Sequence, residues 1–405
     1  MNNRKYFHPQ FIYMLLLGFS SGLPFALTST TLQAWFAASN LHIKDIGFLS
    51  LVGLPYILKF LWAPMMDRWR LPFLGHRRGW MLITQLMLLA TIAFMAWFTP
   101  KTDATLLAAL AFVVAFFSAS QDIVLDAYRT DITAVQQRGL ISAIWLFGWR
   151  IATLASAGGA LIAAQYFGWH SAILFIAAMM LIGIISTLIC EAPKHDHFHS
   201  TSLWQLIIDA SKEFLLRRYG GWLLLFIVLY KLGDAAALSL STTFYLRELG
   251  FSLATIGGVN KSVAIVATIL GALLGGMFML RLRLYSSLLY FGILQAVSNV
   301  FFTGLALVGK SLSLFMITVF VEHFTGGMGT AAFFAFLMAL CDRRYTAMQF
   351  ALFSALASVG RIVIGPIAGY MVNDIGWPLF FLSSFIVALP GLGLLLWLRK
   401  RVDFE

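Results

Sequence analysis

Long apolar runs separated by short polar segments make up most of this chain. A helix that crosses a lipid bilayer needs about 20 mostly apolar residues. Lipid offers the backbone no hydrogen bonds, so such runs are expected to be helices rather than open strands. We predict twelve spanning helices, at residues 11–38, 45–66, 79–99, 104–130, 139–166, 170–190, 220–248, 253–280, 285–309, 312–340, 347–374 and 377–398.

The composition indicates that lipid is the solvent for most of the surface. Of the 405 residues, 60% are hydrophobic and only 11% are charged, whereas a soluble domain carries about 25% charged residues. The expected fold class is an all-α membrane protein. No run between the apolar segments is long enough to build a separate catalytic domain.

Basic residues indicate the orientation, because Lys and Arg concentrate in cytoplasmic segments. With the N-terminus inside, four of the 28 basic residues fall in outer loops, five lie within helices, and the remaining 19 lie in cytoplasmic segments. Both termini are therefore expected in the cytoplasm, in a bacterial inner membrane. This distribution explains the net charge of +11 without a nucleic-acid partner.

One long polar stretch, near 191–219, divides the chain into six helices and six helices. We predict an N-terminal bundle (1–192), a cytoplasmic linker (193–219) and a C-terminal bundle (220–405). The halves also share a spacing, because Asp131 precedes Arg150 by 19 residues and Asp342 precedes Arg361 by 19. Two six-helix repeats with a site between them near the membrane midplane are typical of transporters.

A His-rich run, residues 195–199, lies in the polar stretch. It could bind a metal ion, but a solvated linker is the favoured interpretation, and neither a metal site nor a cofactor is expected. The chain contains no His-Glu-x-x-His metal motif and no Gly-x-Ser-x-Gly nucleophile motif. An enzyme is therefore not expected.

Charged residues inside the predicted spans are candidates for function, because a charge at the bilayer centre costs roughly 2.5–3.5 kcal/mol on insertion scales. They must face a polar cavity or one another. Nine such residues occur: Lys59, Asp122, Asp126, Arg150, Lys231, Asp234, Lys261, Glu322 and Arg361.

Two carboxylates lie one helical turn apart in the fourth span. Asp122 and Asp126 share a helix face with Ser118 and Arg129. Two carboxylates so close in a low dielectric cannot both ionise cheaply unless a cation compensates. They are the first candidates for proton coupling; a structural ion pair with Arg150 is the alternative.

Two further carboxylates are secondary candidates for proton coupling. Asp234 lies three residues after Lys231, so the two can form a local pair that either lines the bundle or breaks during transport. Glu322 precedes a glycine-rich stretch and could carry a proton or hold a packing network.

Cations and aromatic or amide side chains are the substrate-binding candidates. Lys59 and Lys261 have no partner nearby in sequence, which favours an anionic ligand. Arg150 and Arg361 could contact the ligand or latch the two halves. The weaker candidates can stack on sugars or bond to them, and they are Gln33, Trp35, Tyr56 and Gln121.

The loop after the second span resembles the signature of the major facilitator superfamily. It contains Asp67 and Arg68 and, after an insertion, Arg77 and Arg78 followed by glycine. Asp67 is expected to pair with a neighbouring cation and to latch a cytoplasmic gate together with these arginines.

Several longer runs carry a second, more specific resemblance, and together they extend over both halves: residues 18–24 (GFSSGLP), 59–64 (KFLWAP), 118–124 (SASQDIV), 229–234 (LYKLGD) and 326–330 (GGMGT). The chain resembles the AmpG-type muropeptide permeases of the major facilitator superfamily. That resemblance implies a fold of two six-helix bundles. It also implies import of N-acetylglucosaminyl-1,6-anhydro-N-acetylmuramyl peptides, thought to be proton-driven, for peptidoglycan recycling and, in some bacteria, β-lactamase induction.

The expected partners are thus an anionic sugar-peptide, protons and lipid, for a chain that acts as a monomer. Importers of another anionic solute, such as a ferric siderophore, remain the alternative. A drug exporter is less favoured, because the fifth span has only Ala157-Gly158-Gly159 in place of a Gly-Pro-rich signature.

Overall fold

The chain folds into helices joined by short turns. The computed structural model describes residues 9–69, 74–133, 137–192, 203–342, 346–399 and 401. Within these ranges, nine helical segments are long and apolar enough to cross a membrane. The all-helical membrane fold predicted from the apolar runs is confirmed.

The nine segments account for eleven of the twelve predicted spans. Seven segments match one span each, and two segments, Leu140–Ile189 and Met348–Leu398, contain two spans each. Each double segment has a glycine with positive φ, Gly168 (81°) and Gly376 (75°), where the helix is interrupted. Such a φ is accessible to glycine without steric cost, so the chain turns there between two spans.

The second predicted span, 45–66, is helical but broken into short pieces. Two 3₁₀ segments, Leu49–Gly53 and Lys59–Leu61, separate short α-helices. Pro55 and Pro64 lack an amide donor, and each lies in the first turn of its helix, where no donor is needed. Proline placement therefore divides this span, a feature that hydropathy alone does not show.

The first of two compact units comprises residues 1–40 and 52–200. Within it, α1 (Pro9–Ala26) packs along α8 (Arg138–Thr153) and α9 (Ala160–Ile189), while α6 (His76–Met95) packs against α7 (Pro100–Ile132) and α9. Any side chain at Gly18 or Gly148 would overlap the backbone of the facing helix, so these glycines allow α1 and α8 to approach closely. The helices assigned to this unit are α1 (Pro9–Ala26), α2 (Leu32–Ala38), α4 (Leu54–Leu58), α5 (Ala63–Arg68), α6 (His76–Met95), α7 (Pro100–Ile132), α8 (Arg138–Thr153) and α9 (Ala160–Ile189), with α3 (Ile43–Phe48) assigned to the second unit.

The second unit comprises residues 41–51 and 201–405. Here α15 (Lys261–Met279) packs on α17 (Leu312–Leu340), α16 (Leu284–Val308) packs on α17 and α18 (Thr346–Leu398), and α12 (Leu232–Ser239) packs on α18. An aromatic core fills the space between these helices, with Phe226, Phe333 and Phe336 fully buried. The remaining helices are α10 (Leu203–Leu215), α11 (Gly220–Tyr230), α12 (Leu232–Ser239), α13 (Ser241–Thr243), α14 (Leu253–Thr255), α15 (Lys261–Met279), α16 (Leu284–Val308), α17 (Leu312–Leu340) and α18 (Thr346–Leu398).

Large apolar side chains cover the outside of the helices. Leu280, Phe167 and Trp97 are 87%, 75% and 72% exposed. Large apolar side chains are exposed in the same way along most of the described helices, which is unusual for a soluble monomer. These side chains are therefore suited to lipid, as expected of a multi-pass membrane protein.

A polar network holds the helix α10 against the ends of two spans. Glu213 accepts hydrogen bonds from Arg217 Nε (2.9 Å) and Nη2 (2.8 Å) and from Gln349 Nε2 (2.6 Å). Arg217 Nη1 donates to the carbonyl of Leu340 (2.6 Å). The Arg217 hydrogen bonds hold the pKa of Glu213 below its usual value. The stabilisation by ionised Glu213 is thus fully present above the unfolded pKa and is lost as the pH falls through the lower folded pKa.

We predict that Glu213→Gln lowers the thermal stability at pH 7 by about 1 kcal/mol, because the charge-assisted bonds are lost. The difference from wild type should shrink as the pH falls below the unfolded pKa and vanish below the lowered folded pKa, where Glu213 is protonated in both states. Thermal unfolding in detergent between pH 3 and 7 measures this. The control is Glu248→Gln, at an exposed carboxylate; a constant difference at every pH would contradict the prediction.

Candidate functional site

A break in the seventh span places an ion pair inside the second unit. Helix α11 ends at Tyr230 and α12 begins at Leu232, with Lys231 between them. Lys231 Nζ lies 3.6 Å from Asp234 Oδ2 and donates to Thr330 Oγ1 at 3.1 Å. The local pair expected from the three-residue spacing is present. Both side chains are less than one-fifth exposed.

Helix α16 supplies further partners to this pair. Gln295 Nε2 donates a hydrogen bond to Asp234 Oδ2. Gly329 on α17 makes room for this amide, because a Cβ there would lie 2.5 Å from Gln295 Oε1. The glycine-rich stretch thus has a specific steric function beside the ion pair.

Glu322 is the most enclosed carboxylate of the cluster, with 1% of its surface exposed. Ser298 Oγ donates to Glu322 Oε2 at 2.5 Å. Glu322 also lies within electrostatic range of Asp234 and Lys231. Its direct hydrogen-bond donor among the described residues is therefore a neutral hydroxyl, and the cation is bound to Asp234 instead.

A second carboxylate site occurs in the first unit. Asp122 Oδ1 accepts a hydrogen bond from Ser21 Oγ at 2.6 Å. Next to it, Gln121 Nε2 donates to Ser20 Oγ at 3.0 Å. Lys59 lies within electrostatic range of Asp122. A serine pair on α1 therefore holds the amide and the carboxylate of α7.

The two aspartates of α7 occupy different environments. Asp122 is half-buried, whereas the side chain of Asp126 is 51% exposed and pairs with Arg129 at 3.0 Å. The ion pair observed on this helix is thus with Arg129. Arg150 instead lies with its guanidinium over the ring of Trp149, 5.5 Å from the centroid.

Of the aromatic and amide candidates in the first unit, Trp35 and Tyr56 pack against other aromatic rings, and Gln33 is partly exposed. Trp35 is 2% exposed and stacks on Trp169, with centroids 5.6 Å apart. Tyr56 packs edge-on against Phe25 at 5.4 Å. Gln33 is half-buried in α2.

The two remaining cations of the second unit differ in exposure. Lys261 is half-buried at the start of α15, directly after a π-helical turn, Ile256–Asn260. It makes no hydrogen bond or ion pair with any residue the structure describes. Arg361 is an exposed residue of α18.

The residues of the proposed gate lie near the ends of α5, α6 and α7. Arg77 Nε pairs with Asp131 Oδ2 at 3.1 Å, and Arg78 donates to the carbonyls of Thr187 (3.1 Å) and Leu188 (2.6 Å). Arg68 is exposed, and the side chain of Asp67 lies outside what the structure describes. The His195–His199 run also falls outside the described residues.

The neutral partners of the charges were not predicted from the sequence. Gln295 and Ser298 on α16 and Ser21 on α1 contact the buried carboxylates directly. A signal was available on α16, because Gln295, Ser298 and Asn299 are spaced three and four apart within an otherwise apolar helix.

Comparison with known proteins identifies the class to which this fold belongs. The sequence pattern of the Major Facilitator Superfamily matches residues 14–308. The nucleoside transporter NupG has a TM-score of 0.75 at 15% identity, covering 98% of this chain and 100% of that one. A D-xylose–proton symporter has a TM-score of 0.72 at 14% identity, covering 97% of each chain. At such identities the likeness shows the fold alone.

Two relatives of higher sequence identity show to which family within this superfamily the chain belongs. The anhydromuropeptide permease of Escherichia coli K12 is 47% identical over 402 residues, covering 99% of this chain and 82% of that protein. A protein of Haemophilus influenzae is 39% identical over 392 residues, covering 94% and 92%. The chain therefore belongs to the Major Facilitator Superfamily and, within it, to the family that includes this permease. It is a multi-pass membrane transporter rather than an enzyme.

We predict strong energetic coupling between Lys231 and Asp234. Either Lys231→Gln or Asp234→Asn alone should destabilise the protein by about 3 kcal/mol, because the partner stays buried and unpaired. The double variant should regain most of that loss. A double-mutant cycle from thermal unfolding in detergent measures the coupling.

Asp126 and Arg129 provide the matched control pair, with the same three-residue spacing at an exposed position. Their cycle should give less than about 1 kcal/mol. Additive effects at Lys231 and Asp234 would show that the buried pair does not act as a unit.

Proposed function

We propose that this protein imports anhydromuropeptides, N-acetylglucosaminyl-1,6-anhydro-N-acetylmuramyl peptides, into the bacterial cytoplasm for peptidoglycan recycling. The observation that carries the proposal is the 47% identity, over 99% of the chain, to a permease named for this substrate. The chain would lie in the inner membrane with both termini in the cytoplasm. The excess of basic residues in the segments assigned to that side supports this orientation.

The cations of the spans support an anionic substrate. Lys261 has no polar partner among the described residues and is half-buried. An ammonium group in such a place binds a ligand carboxylate by charge-assisted hydrogen bonds. Lys59, Arg150, Lys231 and Arg361 are proposed as further cationic contacts, or as latches between states of the transport cycle.

Neutral groups complete the proposed substrate contacts. Gln33 and Tyr56 would offer amide and hydroxyl groups to a sugar. Gln121 and Trp35, 0% and 2% exposed here, would reach it only in another state of the transport cycle. The proposed gate comprises Asp67, Arg68, Arg77 and Arg78. The observed Arg77–Asp131 pair, which a moving helix end could break, supports a role for Arg77 in gating.

Protons are the proposed coupling ion. Asp122, Asp234 and Glu322 each accept a hydrogen bond from a neutral side chain in a sheltered position. Carboxyl groups in such positions are the usual proton carriers of membrane transporters. Asp126 is a proposed carrier of lower rank, because it is half-exposed and bound to Arg129.

We predict that proteoliposomes take up a radiolabelled anhydromuropeptide and concentrate it only when the outside is more acidic. Asp122→Asn and Glu322→Gln should each reduce this accumulation at least tenfold, since neither amide can bind the proton. Asp374→Asn, at an exposed carboxylate, is the control and should match wild type.

Each outcome of this assay has a distinct meaning. Uptake that needs sodium instead of a pH difference would refute proton coupling. Uptake of a ferric siderophore but not of the muropeptide by folded protein would refute the substrate. Concentrative uptake by Asp122→Asn would remove that aspartate from the coupling step.

We predict that Lys261→Ala weakens binding of the anhydromuropeptide about tenfold, which corresponds to roughly 1.4 kcal/mol. Lys261→Arg should retain most of the affinity, because the charge is kept. Binding to purified protein by calorimetry measures both. Lys101→Ala, at an exposed lysine, is the control; equal affinities for all three variants would show that Lys261 makes no substrate contact.

A further inference from the structure

Helix α16 carries a line of buried polar side chains whose hydrogen bonding is incomplete among the described residues. Gln295, Asn299 and Thr303 are spaced four residues apart and therefore share one helix face. Gln295 Oε1, both polar atoms of Asn299, and Thr303 Oγ1 are buried, without a hydrogen-bond partner among the described residues. We call these three side chains the polar stripe.

The stripe is well enclosed. Asn299 is 0% exposed and Gln295 is 3% exposed. Leaving such groups without a partner costs about 1–3 kcal/mol each. Buried polar groups in proteins nearly always bind a protein group or an ordered water. We therefore expect the polar atoms of the stripe that have no protein partner to bind ordered water molecules.

A tyrosine from another segment adds to the same region. Tyr245 is 1% exposed, its hydroxyl has no partner among the described residues, and it lies within electrostatic range of Glu322. Its ring packs edge-on against Phe315 and lies parallel to Phe302. These apolar rings pack against the side chain and offer its hydroxyl no hydrogen-bond acceptor.

The inner end of the stripe reaches the carboxylates. Gln295 donates to Asp234, and Ser298 Oγ lies within hydrogen-bond distance of both Glu322 Oε2 (2.5 Å) and the carbonyl of Gln295 (2.7 Å). A small cavity next to Gln295 is lined by Asp234, Tyr230 and Gly292, among others. The stripe is thus continuous with the groups proposed to carry the proton.

The outer end of the stripe lies towards the end of α16 at Val308. From Gln295 to Thr303 the helix rises about 12 Å. The distribution of basic residues places the Val308 end on the outer side of the membrane. The stripe therefore extends from the buried carboxylates part of the way to the side from which protons would enter.

We propose that the polar stripe holds a chain of internal water molecules that conducts protons from the outer side to Glu322 and Asp234. Only a proton moves: it leaves the outer water, passes along hydrogen-bonded waters, and binds a carboxylate oxygen. The charged and titratable groups around the acceptors are Lys231, Tyr230 and Tyr245. The proposal rests on the proton symport proposed above.

The first test compares two transport modes of Asn299→Leu in proteoliposomes with a radiolabelled anhydromuropeptide. Accumulation driven by an inward proton gradient should fall at least tenfold, because the leucine interrupts the water chain. Substrate exchange at equal pH should stay within about twofold of wild type, because exchange requires no net proton transfer. Val297→Leu, on the exposed face of the same helix, is the control.

Thr303→Val provides a second variant of nearly unchanged shape, in case Asn299→Leu does not fold. It should lower accumulation selectively by about threefold or more. Thr318→Val is its control, because Thr318 is buried but its hydroxyl already donates to the Leu314 carbonyl. Wild-type accumulation in both Asn299→Leu and Thr303→Val would overturn the proposal. Equal loss of accumulation and exchange in Thr303→Val would also overturn it.

A second measurement detects the water without transport. Radiolytic footprinting of the purified protein oxidises side chains that contact bound water, even when they are buried. Tyr245 should be oxidised in wild type and protected in Asn299→Leu. Tyr128, equally buried but bonded to the Glu191 carbonyl, is the matched control.

The two measurements separate the proposals. Oxidation of Tyr128 and Tyr245 at the same low rate would overturn the water chain, whatever the transport result. Oxidation of Tyr245 without gradient-driven accumulation in wild type would instead overturn the proton symport, and with it the conducting role of the stripe.

Discussion

The constraint on which this structure depends is that charges removed from water must be neutralised or hydrogen-bonded inside the protein. In the second unit, Lys231 and Asp234 form an ion pair at 3.6 Å. Lys231 also donates a hydrogen bond to Thr330, and Asp234 accepts one from Gln295. The span that carries the pair is broken between Tyr230 and Leu232. The helix is therefore interrupted at Lys231, where this lysine and Asp234 bind side chains of neighbouring helices.

The first unit meets the same constraint with different chemistry. The hydroxyl of Ser21 donates a hydrogen bond to Asp122. Lys59 lies within electrostatic range of this carboxylate, but the structure shows no hydrogen bond between the two described side chains. Helix α1, which carries Ser21, also carries Gly18, where it approaches α8 closely. Small residues of α1 thus serve helix packing at one position and carboxylate binding at another, three residues away.

The fold was largely predictable, because lipid imposes one length and one hydropathy on every span. The local pairing of Lys231 and Asp234 was also predictable, because the spacing lies within one element. The neutral partners were not, since Gln295 lies 61 residues from Asp234 and Ser298 lies 24 residues from Glu322, each on a different helix from its partner. Spacing within a helix carries no information on its neighbours. The different exposure of Asp122 and Asp126 likewise depends on which helices pack against α7.

Serine is a particularly suitable partner for a carboxyl group that must bind and release a proton. Its hydroxyl can donate to a carboxylate and can accept from a neutral carboxylic acid, so one contact suits both states. A lysine ammonium can only donate and would oppose protonation. Glu322 and Asp122 each have a serine hydroxyl within 2.6 Å, whereas Asp234 forms an ion pair with Lys231 at 3.6 Å. On this chemistry, Glu322 and Asp122 are better suited to change charge during transport, and Asp234 to remain paired until a proton or a ligand displaces Lys231.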